Sequence, residues 1–85
     1  MSKVYRLEFE VVTDPAMVYM FKKTHMSISV VDESYWHKVV KEDTNPWQQY
    51  NTLCEWERTG EEPIRNVKLF EAEKIEADWK LVQKK

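Results

Sequence analysis

At 85 residues the chain holds material for a single hydrophobic core, one domain spanning 1–85, and four Trp, four Tyr and three Phe against one Gly and three Pro exclude a linker or a disordered tail. A formal charge of −2 excludes the uniformly basic surface of a free-standing DNA-binding domain. Residues 1–41 carry six Lys/Arg against five Asp/Glu and residues 42–85 carry seven against ten, so any contact with nucleic acid must be a local patch.

From Val4 to Val12, Tyr5, Leu7, Phe9 and Val11 alternate with Arg6, Glu8 and Glu10, the signature of a half-buried strand. Asp14-Pro15 then supplies an N-cap and a proline at the first helical position. Met17, Met20 and Phe21 recur at helical spacing until Lys22 and Lys23 close the last turn. Alternation returns at Met26–Val31, which predicts a second strand burying Met26, Ile28 and Val30. A helix beginning at Asp32 or Ser34 follows, with Tyr35, Trp36, Val39 and Val40 on its apolar side and His37, Lys38, Lys41 and Glu42 opposite. Thr44-Asn45-Pro46 ends it and caps a third helix that runs to about Thr59, with Gly60 where a left-handed terminal residue belongs. On that helix Trp47, Tyr50, Leu53, Cys54 and Trp56 form an apolar arc covering about half the circumference. The last quarter fits either a helix or strands. Its Val67, Leu69, Phe70, Trp79 and Val82 favour two antiparallel strands at about 64–72 and 76–83. The expected architecture is α+β: a four-stranded, mostly antiparallel sheet with about three helices on one face, in the order β-α-β-α-α-β-β.

The residue inventory offers little chemistry. Two His, His25 and His37, and the lone Cys54 cannot build a tetrahedral metal site, and a single Gly cannot form a phosphate-cradling loop. Cys54 falls between Trp47 and Tyr50 on the apolar arc, which reads as a packed core cysteine, and one cysteine allows no internal disulfide. The acidic pairs Glu55/Glu57, Glu61/Glu62, Glu71/Glu73 and Glu76/Asp78 read as solvated faces and strand edges. The expectation is therefore no enzyme, no metal and no cofactor. With no apolar run approaching the ~20 residues of a membrane span, it is also a cytoplasmic protein without membrane contact.

Basic residues interleaved with aromatics carry the functional content. Tyr19 falls between Lys22 and Lys23 on the first helix, His25 lies just beyond, and His37, Lys38 and Lys41 share a polar face of the second. A ring between ammonium groups suits a nucleotide, stacking on a base while the cations hold phosphates. Ordinary helix-terminal charge beside a half-buried Tyr accounts for the same pattern. Trp56, at the border of the third helix's arc, either covers the core edge or anchors a partner. Burying it with part of Tyr50 in a twofold interface would give so small a domain the extra burial it needs, hence a homodimer.

The opening Ser2-Lys3-Val4-Tyr5-Arg6-Leu7-Glu8-Phe9, the chain length and the missing catalytic residues resemble the small counter-defence proteins of T-even-type phages, in particular the ToxN inhibitory factors. That resemblance implies a phage-encoded, antitoxin-like inhibitor that captures a host endoribonuclease toxin of a toxin–antitoxin defence system together with RNA. On this reading RNA is touched through Lys22, Lys23, His25, Lys38 and Lys41, helped by Arg65 and Lys68. The competing expectation is a protein–protein adaptor that uses Trp56 and binds no nucleic acid.

Overall fold

A computed structural model describes residues 3–73 and 79–82. The elements are β1 (Val4–Val12), α1 (Pro15–Thr24), two 3-10 turns (Ile28–Val30 and Glu33–Tyr35), β2 (Trp36–Asp43), α2 (Trp47–Thr59), β3 (Ile64–Ala72) and β4 (Lys80–Val82). The strands form one sheet in the order β2-β1-β3-β4, and every pairing is antiparallel. Among the described residues the fold is thus α+β with a four-stranded antiparallel sheet and two α-helices, where the sequence predicts about three.

Residues 26–43 account for the difference. Met26–Val31 is not a strand: the Ser27 hydroxyl accepts from the Ser29 backbone N–H at 3.3 Å and bonds the Ser29 hydroxyl at 2.9 Å, while the Val31 N–H donates to the Ile28 carbonyl. Serine hydroxyls bonding locally offer the backbone an alternative to the ladder, here a capped 3-10 turn. Val30 is accordingly 68% exposed, and Val31 takes the buried place. The segment predicted to be the second helix is β2, registered against β1 from Val12↔Trp36 to Tyr5↔Asp43. Its aromatic and β-branched residues suit a strand, and the ladder it makes covers an edge of β1 that a helix would leave open. As an edge strand it is mostly exposed on both faces, which erases the period-two pattern.

Local signals place the other elements. Asp14 caps α1 by accepting from Ala16 N–H at 3.1 Å, Pro15 opens the helix, and His25 ends it in the left-handed conformation at φ 52°. Gly60, at φ 77°, ends α2 in the same way, and its N–H donates to the Trp56 carbonyl. β3 covers the predicted 64–72. Of the predicted strand at 76–83, residues 80–82 are extended and pair with 69–71, whereas 76–78 and 83 lie outside the described residues.

Burial divides the molecule into two clusters. In the larger one, Leu7, Phe9, Ile64, Val67 and Leu69 from one face of the sheet meet Tyr50 and Leu53 of α2. In the smaller, Val12, Phe21 and Val31 pack with Met17, Val18, Met26, Ile28, Tyr35 and Trp36, joining α1 and the 3-10 turns to the end of β1. The opposite sheet face is charged. Arg6 pairs with Glu42 at 2.9 Å, Lys38 with Glu8 at 3.4 Å, and Arg65 with both Glu10 and Glu33. Between Glu8 and Glu10 the register of β1 and β3 shifts by a bulge, and Asn66 occupies it at φ 56°.

Candidate binding surface

Four of the predicted contact residues share the C-terminal half of α1. Tyr19 is 60% exposed, and the Lys23 ammonium donates to its phenol oxygen at 3.2 Å while sitting 5.4 Å from the ring centroid. Lys22, one position earlier, points to Glu62 at 2.8 Å. Both side chains of that pair are partly exposed, where ion pairs contribute little and exchange readily for another anion. His25 is exposed beyond them, fixed by the helix terminus, where its own N–H and that of Met26 donate to the Phe21 carbonyl.

Beneath that helix end lies a shallow groove beside the end of α2, lined by His25, Ser27, Glu57, Arg58, Thr59 and Gly60 over a floor that includes Phe21. Arg58 is bonded to Glu55 on its own helix but largely exposed, so its guanidinium remains accessible at the rim. Sequence reasoning misses Arg58 and Ser27 as companions of His25. Only the approach of the turn after α1 to the end of α2 brings them together, and no local spacing encodes it.

The remaining predicted residues are dispersed. His37, Lys38 and Lys41 do not share a helical face. On β2 strand alternation sends Lys38 to the charged face with Glu8 and sets His37 and Lys41 on the other side. Lys68 is exposed on β3 opposite Glu8. Arg65 is engaged: it donates to Glu10 at 2.8 Å and to Glu33 at 2.6 Å, and its guanidinium stacks 4.2 Å from the Trp36 ring centroid. Bonding to Glu33, with a smaller share from Glu10, holds Arg65 protonated above its ordinary range against the cost of burial. In turn the Asn66 amide, and then Arg65, hold the Glu10 carboxyl below the usual carboxylate range.

Of the two predicted interface residues, Tyr50 is buried, only 7% exposed, inside the larger core. Burial, with the Cys54 thiol adding to it, pushes its phenol up to about 12. No described residue bonds that hydroxyl. Trp56 is half-buried at the core's edge and lines a second shallow depression with Asn45, Gln48, Gln49 and Thr52. Trp47 is more exposed, and its indole meets Tyr5 edge-on at 5.2 Å.

Among the described residues no group of three or more His, Cys, Asp or Glu is placed to hold a metal ion. No helix among them is long and apolar enough to cross a membrane. No family model, no curated protein and no solved structure matches the chain.

Proposed function

We propose that the chain is a non-catalytic inhibitor that binds an endoribonuclease toxin of a bacterial toxin–antitoxin defence system and contacts RNA while doing so, acting in the cytoplasm of a phage-infected host. The observation that carries the RNA half is the end of α1: an exposed Tyr19 ring held beside Lys23, with Lys22 and His25 flanking it and Arg58 across the groove. A sequence-tolerant RNA contact needs a π-face for a base and cations for phosphates, and those residues supply both on one rigid helix terminus. Arg65 is excluded from this role because its guanidinium already serves two carboxylates. Capture of the toxin is assigned to the α2 depression around Trp56, where an indole at the border of the core is the kind of anchor that dominates protein interfaces.

A second reading, an adaptor without nucleic acid, is favoured by one observation: Lys22 and Lys38, like Arg65, are already paired with carboxylates. The two readings separate on purification. The inhibitor retains RNA, seen as excess absorbance near 260 nm, and loses it in high salt as counterions replace phosphate contacts. An adaptor elutes free of RNA, keeps its protein partner when Lys22 and Lys23 are both replaced by Ala, and loses it on Trp56→Ala. RNA-free protein at low salt overturns the RNA half of the proposal.

A further inference from the structure

We propose that the free edge of β2 is a self-complementary interface, through which two copies of the chain pair antiparallel and join their sheets into one of eight strands. β2 is an outermost strand, eight residues long, and no described strand pairs with its other edge. An edge of that length is a template for strand addition unless something blunts it. Among the described residues the opposite border of the sheet, β4, runs over three residues.

The sequence of β2, Trp-His-Lys-Val-Val-Lys-Glu-Asp, places its bases first and its acids last. A twofold axis perpendicular to the sheet keeps each face on its own side, so only residues of like alternation can meet across it. With the axis through Val40, which is 50% exposed, Lys38 stands opposite Glu42 of the second copy and His37 opposite its Asp43, each pair occurring twice. Shifting the register one way leaves Lys38 opposite Val40 and Glu42 opposite Trp36 without a counter-charge, and shifting it the other way sets Lys41 against its own copy. One register is thus selected by charge, since opposite charges across a strand pair stabilise and like charges destabilise.

On the charged face the selected register extends interactions already present. Lys38 lies 3.4 Å from Glu8, and Glu42 lies 2.9 Å from Arg6. Pairing the copies links them as Glu8–Lys38–Glu42–Arg6, with alternating sign across the boundary, and twofold symmetry makes two such chains. The contact is narrow, so the association is weak and salt-sensitive. It is independent of the RNA surface on α1 and stands whether or not RNA is bound.

The test is charge reversal with heterotypic rescue, read by sedimentation velocity on the full chain. Wild type shows concentration-dependent dimerisation that weakens with salt. Lys38→Glu and Glu42→Lys each turn both complementary pairs into like-charge pairs and weaken self-association by about tenfold. Mixing the two variants restores a dimer, because every pair across the boundary is again opposite in sign. A merely structural role for Lys38 or Glu42 would not produce a heterodimer. Should far-ultraviolet circular dichroism show either variant unfolded, Val40→Lys replaces it, setting two ammonium groups against each other at the axis and weakening the dimer likewise. A wild-type chain that stays monomeric up to about 1 mM, the weak limit of specific association, overturns the proposal. So does a dimer indifferent to these substitutions.

Discussion

The two faces of the sheet are built on opposite principles. On the covered face Leu7, Phe9, Val67 and Leu69 meet Tyr50 and Leu53 of α2 and exclude water. On the open face the same strands carry Lys68 and, tied into ion pairs, Arg6, Glu8, Glu10 and Arg65, with Arg65 stacked on Trp36 and Arg6 on Trp79 at 4.4 Å. Burial supplies most of the free energy of so small a fold, whereas partly exposed ion pairs contribute little each. The open face instead fixes how the strands are registered and what they present outward. Its cations are largely spoken for, while at the end of α1 the carboxylate paired with a lysine among the described residues is Glu62. That contrast separates a surface that organises the sheet from one free to bind.

Truncation of the covered face gives the largest effect. Leu69→Ala removes a fully buried side chain from the centre of the larger cluster and is expected to cost about 2–5 kcal/mol, read as a shifted urea midpoint. For a domain of this size that is a large share of the whole.

Next comes the bulge that joins the two faces. Asn66 sits at φ 56°, its N–H donates to Glu57 at 3.0 Å and its amide donates to Glu10 at 3.0 Å. Asn66→Ala keeps the backbone conformation but loses the amide and the tolerance of asparagine for it, a cost of about 1–2 kcal/mol. Asn66→Gly, which relieves the backbone, costs less in the same denaturation experiment.

On the open face Arg65→Met removes both carboxylate contacts while keeping an unbranched stem over Trp36, and about 1 kcal/mol is expected to be lost at neutral pH. Its signature is a pH profile. Because the folded state lowers the Glu10 carboxyl below 4.5, its contribution is complete above that value and disappears as pH falls through the lower folded value. The variant shows a shallower acid limb in stability measured against pH.

Tyr50→Phe has the smallest effect. The hydroxyl is buried without a described partner, so deleting it is expected to be neutral to within about 0.5 kcal/mol. It also flattens the alkaline limb. With the phenol held near 12, ionisation of the unfolded chain from its ordinary 10 upward favours unfolding of the wild type, and the variant lacks that part of the loss.

How much of this was legible depended on whether a signal was local. Alternation in Val4–Val12, the Asp14-Pro15 start, the Gly60 stop and the β-rich Ile64–Ala72 each encode their element within a few residues, and each element lies where those signals put it. Met26–Asp43 misleads for two physical reasons. Ser27 captures its own backbone into a turn, and β2, as an edge strand with little covered on either face, shows no period-two burial and is mistaken for a helix. The same error assigned His37, Lys38 and Lys41 to one face. Tyr19, Lys22, Lys23 and His25 were legible as a group because a single helix carries them. Arg58, Arg65's double pairing and the burial of Tyr50 arise from contacts between elements far apart in sequence, which no local pattern records.

The account turns on the end of α1 being a surface that holds RNA by stacking and phosphate contact. Fluorescence anisotropy of a labelled single-stranded RNA across a salt series tests it directly, comparing the wild type with a chain in which Lys22 and Lys23 are both Ala. The expected result is a linear fall of log affinity with log salt, its slope smaller in the variant by about 1.4, two phosphate contacts at ~0.7 each for a single strand. Equal slopes for the two proteins, or no salt-dependent affinity in the wild type, would contradict it.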